Sequence, residues 1–300
     1  MKKILISGSS GLIGSHLSVY LSENGYAIRR LVRQRDIKTG SKIFWDPLEK
    51  IIDPSSLDGF DVVIHLAAAS IASWPWSHKK KLKIKNSRVH ATHFLSKRLA
   101  KLDTKPRSLI CASATGYYGD RGEEFLDEDS SAGRGFLSEV CQEWEAAVKP
   151  ARQAGIRVAN LRFGMVLSPE NGILAKLLPV FKLGLGAVVG NGKQYLPWVS
   201  ITDVSRIIKH VIEKSELQGP INVVTPSPVT QAELSKCLAR VLNRPLLFTV
   251  PSFILKATMG QMAEDLLLTS IRAIPKKLID SSYTFEHPEL EPALRSLLRR

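Results

Sequence analysis

Cysteine is scarce in this 300-residue sequence, and its three cysteines, Cys111, Cys141 and Cys237, lie far apart. None of them forms a Cys-x-x-Cys pair, which argues against a disulfide framework. The seven histidines are equally dispersed, and only His90 and His93 are close in sequence. Because a third ligand is missing there, we expect no bound metal.

Long apolar runs are also missing. The start "MKKILISGSSG" is basic like a signal peptide, but its apolar run stops after Ile4, Leu5 and Ile6. The later stretch "PLLFTVPSFILKATMG" is interrupted by Pro251 and Lys256, and no segment reaches the ~18 apolar residues of a membrane span. We therefore expect a cytoplasmic protein without a membrane span.

Acidic residues are absent between His78 and Lys101, and the whole chain carries a net charge of +14. This excess suggests an anionic partner, but the apolar residues of the segment recur at helical spacing, which favours a packed helix with a solvated basic face. Neither aromatic interleaving nor a recognition module accompanies the charge, so we do not expect nucleic-acid binding. Association of this helix with nucleic acid or an acidic membrane remains an alternative, and it predicts affinity that falls steeply with salt.

Short apolar runs alternate with amphipathic segments over the first half, which predicts an α/β fold with a parallel sheet covered on both faces. The predicted strands include "KILIS", "YAIRRLVR", "DVVIHLAA", "RSLICAS" and "IRVANLRFG", and a helix is predicted from about 136 to 153. We assign residues 1–168 to a doubly wound nucleotide-binding domain whose core strands return within about 198–225. We assign residues 169–300 to a smaller, mainly helical substrate-binding region, with a C-terminal domain at about 249–297.

A glycine triplet, Gly8, Gly11 and Gly14 in "ISGSSGLIGSHL", separates the first strand from its helix. Glycine is needed where the backbone turns tightly, approaches a pyrophosphate or packs against a strand, and the helix N-terminus supplies N–H groups and a positive dipole end. The order of strand, loop and helix therefore predicts a Rossmann-type dinucleotide site.

The choice of cofactor depends on the end of the second strand, where NAD-binding proteins carry an acid for the adenosine ribose hydroxyls. This chain carries Arg33 there, with Arg29, Arg30 and Arg35 nearby. A guanidinium suits a 2′-phosphate, so we expect NADP(H) in preference to NAD(H). Asp36 is the counterargument, since it lies three residues further on.

The segments "SGSSGLIG", "HLAAAS", "SATGYYGD", "GFLSEVCQEWE" and "LRFGMVL" together resemble the extended, epimerase-like short-chain dehydrogenase/reductases. "MGQMAEDLLLTSIRAIPKKL" and "YTFEHPELEPALRSLL" resemble a subgroup of the NAD-dependent epimerase/dehydratase family that ends in a small domain of unknown function. That subgroup is widespread in bacteria and has a mitochondrial human relative.

The resemblance implies a set of site residues in addition to the three glycines. Ser9, Ser10, Leu12 and Ile13 would line the pyrophosphate, and Leu66, Ala67 and Ala68 would border the adenosine and ribose. Ser113 would be the catalytic serine, and Gly164 and Val166 would lie near the nicotinamide amide.

Typical members of this group also carry Tyr-x-x-x-Lys on the helix after the serine, where the tyrosine exchanges a proton and the lysine lowers its pKa. At these positions this chain has Phe136 and Val140, which keep the spacing but not the chemistry. We therefore consider Tyr117 or Tyr118 as a substitute proton donor, with Ser113 orienting the substrate. A structural role as loop anchors is the alternative for both tyrosines.

Four further side chains are candidates for a substrate pocket: Trp74, Arg88, Gln194 and Trp198. Aromatic rings offer stacking surface and Arg88 an anion contact, although tryptophans serve equally well in a core. Together these features predict an NADP(H)-binding oxidoreductase or epimerase that acts on a small polar substrate. The alternative is a non-catalytic NADP(H)-binding sensor or regulatory protein, and a homodimer is a further expectation for either.

Overall fold

The strands of the protein alternate with helices along the chain, as the apolar pattern predicts. The computed structural model describes residues 1–34 and 40–299. Its strands are β1 Lys3–Ser7, β2 Ala27–Val32, β3 Lys42–Asp46, β4 Ile51–Ile52, β5 Val62–His65, β6 Ser108–Ala114, β7 Phe125–Leu126, β8 Arg157–Phe163, β9 Met165–Leu167, β10 Ala187–Val189, β11 Tyr195–Leu196, β12 Trp198–Ser200, β13 Gly219–Val223, β14 Val229–Thr230, β15 Phe248–Val250 and β16 Arg272–Ala273.

The helices are α1 Leu12–Glu23, α2 His78–Ala100, α3 Phe136–Ala146, α4 Lys149–Gln153, α5 Gly172–Lys182, α6 Ile201–Glu213, α7 Gln231–Leu242, α8 Ser252–Met259, α9 Gln261–Ala263, α10 Lys276–Asp280 and α11 Leu290–Leu297. Short 3₁₀ segments at Pro54–Leu57 and Thr115–Tyr118 and a π-helical turn at Glu264–Leu268 complete them. Over residues 1–34 and 40–299, none of the helices combines the length and apolarity needed to cross a membrane.

The central sheet has eight strands in the order β13-β8-β6-β5-β1-β2-β3-β4, and only the β3–β4 pair is antiparallel. The chain builds outward from β1 in both directions, so β1 and β5 flank the switch point of the sheet. Ser7 is level with His65 of β5 and with Leu31 of β2. The loops that follow these three strands therefore meet at one edge, where doubly wound folds bind their ligands.

Two apolar layers cover the sheet. On one face α1 and α6 bury residues such as Leu17, Leu21 and Ile207 against it. On the other face α2 and α4 bury residues such as Leu95 and Val148. Burial on both faces explains the nearly continuous apolar runs of the strands, and the predicted doubly wound Rossmann-type α/β fold is confirmed.

The predicted helix over 136–153 is in fact two helices. Pro150 has no N–H and cannot donate to the carbonyl four residues earlier, so α3 ends at Ala146 and α4 begins at Lys149. The strands β3 and β4 were missed because they are short and mix polar with apolar residues.

The last part of the chain is tied to the sheet domain by buried carboxylates. Asp203 at the start of α6 is fully buried, and it accepts hydrogen bonds from the hydroxyl of Tyr283 and the backbone N–H groups of Glu286 and His287. Buried charge is costly unless it is satisfied in this way. The division at residue 168 remains a proposal, and α6 and β13 join the sheet from beyond it.

Candidate dinucleotide site and adjoining cleft

The glycine loop after β1 is a tight turn that admits no larger residue at two of its three glycines. Gly8 has φ +73°, and a Cβ there would lie 2.7 Å from the backbone nitrogen of Ala67. A Cβ on Gly14 would lie 2.2 Å from the carbonyl oxygen of Gly8. The N–H of Gly11 closes the turn by donating to that same carbonyl at 3.0 Å.

The turn leads directly into α1, whose N-terminal N–H groups are possible donors to a ligand. Gly11 is the N-cap and offers no side-chain hydrogen bond. The first N–H groups of a helix lack intrahelical partners and carry the positive end of its dipole. Ser9, Ser10, Leu12 and Ile13 all lie in this turn or the first helical residues, so the residues present fit a pyrophosphate at this point.

The loop after β5 forms the facing wall. Leu66 donates its N–H to the carbonyl of Ser7 at 3.2 Å, which holds the loop of Leu66, Ala67 and Ala68 against the glycine turn. Arg88 of α2 donates to the carbonyls of Ala69 at 3.0 Å and Ile84 at 3.1 Å. Its Nη1 therefore braces this loop, and contact of Arg88 with a substrate stays a prediction.

The candidate 2′-phosphate residue lies at the same edge. Arg33 follows β2 by one residue, two positions beyond the partner of Ser7, and its side chain is exposed. Arg29 instead donates its Nε to the carbonyl of Gly40 at 2.8 Å. Arg35 and Asp36 lie outside the described residues.

A histidine that the sequence reasoning passed over lies beneath the glycine turn. His65 ends β5, is fully buried, and shares a hydrogen bond of 2.6 Å between its Nδ1 and the hydroxyl of Ser7. Burial lowers the pKa of His65 to about 4. The imidazole is consequently neutral at physiological pH, and it fixes the ends of β1 and β5 next to each other.

The candidate catalytic serine, Ser113, is held by an acid that the sequence reasoning also missed. Ser113 lies near the end of β6 and donates its hydroxyl proton to Glu145 Oε1 at 2.7 Å. Glu145 belongs to α3, the helix that carries Tyr-x-x-x-Lys in typical members. Glu145 lies four residues after Cys141 and seven after Ser138, both buried, and this helical spacing on one face was the available signal.

Glu145 is itself held by Arg162 of β8. Arg162 donates its Nε to Glu145 Oε1 at 2.8 Å and its Nη2 to Oε2 at 2.9 Å. Both side chains are nearly buried, with 12% and 3% of their surfaces exposed. Although burial opposes the guanidinium charge, the bonds and charge of Glu145 raise the pKa of Arg162 above its usual range.

The two tyrosines of the loop after β6 have different environments. Tyr118 is fully buried, and its hydroxyl hydrogen-bonds with Asn222 at 2.7 Å and Arg162 at 2.9 Å. Burial raises the pKa of Tyr118 to about 12, against the charge of Arg162. These contacts fit the alternative of Tyr118 as a loop anchor, and its role as a proton donor stays a prediction. Tyr117 is half-buried, with the Arg162 guanidinium 3.6 Å above its ring centroid.

The positions of the missing tyrosine and lysine are filled by packing. The Phe136 ring stacks edge-on against Trp76 at 5.6 Å, and Val140 is buried. The Lys81 ammonium lies 5.6 Å from the Phe136 ring centroid, so one cation does approach this position from α2.

A cleft of about 340 Å³ opens beside this group. One wall is the loop after β6 and the start of α3, and the other is α8 with the π-helical turn. Its lining residues are Gly116, Gly119, Asp120, Arg134, Gly135, Leu137, Ser138, Lys256, Glu264, Asp265, Leu268, Thr269 and Ile271. The lining carries charges of both signs, namely Asp120, Arg134, Lys256, Glu264 and Asp265. Burial and the neighbouring Glu264 raise the pKa of Asp265.

Most of the predicted pocket residues lie elsewhere. Trp198 is fully buried and donates its indole N–H to the carbonyl of Ser227 at 3.1 Å. Gln194 is buried and donates to the carbonyls of Val189 and Leu267, both at 3.0 Å. Both side chains are buried and hydrogen-bonded, and their place in a substrate pocket stays a prediction. Trp74 is exposed but does not line the cleft.

The strand end next to Ser113 carries the last two predicted cofactor residues. Gly164 donates its N–H to the carbonyl of Val223 at 3.2 Å, and a Cβ there would lie 2.6 Å from the carbonyl oxygen of Pro197. Val166 is half-buried in β9. Both therefore border the edge of the sheet at which the glycine turn and Ser113 meet.

A glycine turn, a free helix N-terminus and a switch point in one place define a dinucleotide-binding protein of the Rossmann type. The family model described as "NAD dependent epimerase/dehydratase family" matches residues 4–224, and one described as "Domain of unknown function (DUF1731)" matches residues 250–297. The chain belongs to the NAD-dependent epimerase/dehydratase family, and its resemblance to that group is confirmed.

Relatives cover almost the whole chain. An epimerase family protein of Mycobacterium bovis, Mb2239, is 39% identical over 97% of this chain and 96% of its own. The human epimerase family protein SDR39U1 is 30% identical over 99% of each chain. The crystal structure of human SDR39U1 isoform 2 with NADPH covers 99% of both chains, with a TM-score of 0.91 at 28% identity.

Proposed function

We propose that the protein is an NADP(H)-dependent oxidoreductase or epimerase that acts on a small polar substrate. The observation that carries this proposal is the chain of hydrogen bonds from Ser113 to Glu145 and Arg162 at the edge where the glycine turn lies. A purely structural helix would not need a buried acid directed at the serine. The neighbouring cleft has the size and polarity of a small-ligand site.

The preference for NADP(H) rests on Arg33. Its exposed guanidinium follows β2 at the level of the glycine turn, where the adenosine ribose lies in Rossmann-type sites. A guanidinium binds a phosphate through two parallel hydrogen bonds, which a ribose hydroxyl cannot match. The NADPH of the human relative's structure supports the same choice.

The proposed chemistry assigns the proton to the serine and the acid. A bound nicotinamide cofactor supplies hydride transfer. Ser113 already donates its proton to Glu145, so its oxygen is free to accept a hydrogen bond from a substrate hydroxyl. When that hydroxyl loses its proton to Ser113, the serine passes its own proton to Glu145. Tyr117 is the second candidate for this role, because it lies next to Arg162.

The test combines binding and turnover. Titration of the protein with NADPH and NADH by fluorescence should show tighter binding of NADPH, and Arg33→Ala should remove most of that difference. Incubation of the NADPH-bound protein with aldehydes, ketones and quinones should then oxidise the cofactor. Glu145→Gln should slow this oxidation by ~10²-fold or more, as expected when a proton-transfer group is lost.

A non-catalytic sensor is the second candidate, and a specific observation favours it. Phe136 and Val140 replace the proton donor and its lysine with packed apolar side chains. Tight NADPH binding without any turnover would support the sensor, whereas absence of binding to either nucleotide would refute both candidates. We retain a cytoplasmic location and a homodimer as expectations for either function.

A further inference from the structure

Two segments of the chain hold basic residues but no acidic ones. Residues 171–202 contain three basic residues and no Asp or Glu, namely Lys176, Lys182 and Lys193. Residues 234–263 contain four and again no Asp or Glu, namely Lys236, Arg240, Arg244 and Lys256. Where two such segments meet, their own side chains contribute positive charge only.

The fold brings these segments side by side. β10 pairs in parallel with β15, with Ala187 level with Phe248. Just before the strands, Arg244 donates its Nε to the carbonyl of Lys182 at 2.7 Å. The residues that precede both strands and those that follow β15 therefore form one continuous surface.

Large apolar side chains are exposed along this surface. Leu183 and Leu185 precede β10 with 75% and 54% of their surfaces exposed. Leu247, the residue before β15, is 77% exposed, and Phe253 of α8 is 69% exposed. We call these four residues the apolar patch.

Helix α8 reinforces the patch because it buries none of its residues. Its sequence "SFILKATM" includes four large apolar side chains, yet every residue of the helix is exposed or half-buried. Exposed apolar surface of this extent marks an interaction site in a soluble protein.

We infer that the apolar patch docks on the surface of an anionic lipid bilayer. Apolar side chains that enter the acyl boundary, combined with cations that meet lipid phosphates, are the two components of interfacial binding. The cations next to the patch include Lys182, which directly precedes Leu183, and Arg244, which donates to the Lys182 carbonyl; neither has an acidic partner among the described residues. Two other cations of these segments are paired, Arg240 with Glu291 at 2.7 Å and Lys256 with Glu264 at 3.1 Å.

The charge distinguishes a bilayer from a second copy of the chain. If two copies met through this surface, the cations of one copy would face the cations of the other, and like charges across an interface are unfavourable. An anionic bilayer instead complements them. The patch also lies outside the glycine turn and the Ser113 group, so this inference does not depend on the proposed function.

The experiment is flotation of the full chain with vesicles of phosphatidylcholine alone and of phosphatidylcholine with about one third phosphatidylglycerol. We expect binding to the anionic vesicles only, reduced by high salt. The double variant Leu247→Ser/Phe253→Ser should lose at least ~10-fold of that affinity. The second double variant, Leu183→Ser/Leu185→Ser, should lose affinity for anionic vesicles to a similar degree. Because it changes a different part of the patch, a folding defect in one variant would not account for the loss in both.

The controls test the alternatives. Leu48→Ser removes a leucine that is 71% exposed outside the patch and should bind as the unmodified chain does. Lys79→Glu/Lys83→Glu alters the basic helix α2 and should also leave binding intact. The inference is overturned if anionic vesicles are not bound, if only the α2 variant loses binding, or if the patch variants abolish self-association in sedimentation rather than lipid binding.

Discussion

The neutral histidine beneath the glycine turn gives a quantitative prediction about acid stability. His65 is fully buried, and its pKa falls from an unfolded value near 6.5 to about 4. Between these two values the unfolded chain binds a proton at this position that the folded chain does not. Stability should therefore be unaffected by His65 above about pH 6.5 and should fall as the pH drops towards 4.

The size of the effect follows from the width of that window. A difference of about 2.5 pKa values corresponds to about 3 kcal/mol of unfolding free energy, all of it lost once the pH is below 4. About 2 kcal/mol of this is lost between about pH 7.5 and about pH 5. Urea unfolding at those two values measures the loss directly.

The comparison variant is His65→Asn, which removes the titration but keeps a side-chain acceptor within reach of the Ser7 hydroxyl. Its absolute stability should be lower because the ring leaves a cavity, but its loss on acidification should be smaller than that of the unmodified chain by about 2 kcal/mol. His90→Asn, which changes an exposed histidine, should leave the pH dependence unaltered. If His65→Asn loses as much stability as the unmodified chain does, the assignment of a buried neutral histidine is refuted.

Three further predictions concern the site. Gly14→Ala places a methyl group against the Gly8 carbonyl and should weaken NADPH binding at least ~10-fold in fluorescence titration, whereas Gly40→Ala, which meets nothing within 4 Å, should not. Glu145→Ala leaves Arg162 buried and unpaired and should cost about 3 kcal/mol in urea unfolding, with recovery in Glu145→Ala/Arg162→Met. Tyr118→Phe should cost about 1 to 3 kcal/mol by removing the bonds to Asn222 and Arg162, whereas Tyr195→Phe, whose hydroxyl has no partner among the described residues, should cost little.

The fold could be predicted from local patterns because its determinants are local. Periodic apolar runs specify strands and helices, and the Gly8, Gly11 and Gly14 spacing specifies the turn between β1 and α1. Each of these signals lies within about a dozen residues of chain. The same reasoning missed β3 and β4, whose pairing depends on a neighbour rather than on a strong pattern of their own.

The candidate catalytic group could not be predicted in this way because it is assembled from distant residues. Ser113, Glu145 and Arg162 come from three elements, and only the sheet brings them together. Trp198 and Gln194 show why residue type alone is a weak guide to a pocket, since both candidates are buried in the structure. Residue type identifies what chemistry is available, whereas burial decides which side chains can perform it.

The helix α3 shows how one scaffold can hold different chemistry. It retains the position of the helix that carries tyrosine and lysine in typical members. Here Phe136 is half-buried against Trp76 and Val140 is buried, and a later residue, Glu145, accepts a hydrogen bond from the serine. The hydroxyl of Ser113 donates its hydrogen bond to the Glu145 carboxylate. A serine that orients a substrate carbonyl would instead donate its hydrogen bond to that carbonyl. Under the proposed function, this arrangement would let Ser113 accept a proton from a substrate hydroxyl, so oxidation of alcohols with NADP+ should be assayed beside the oxidation of NADPH.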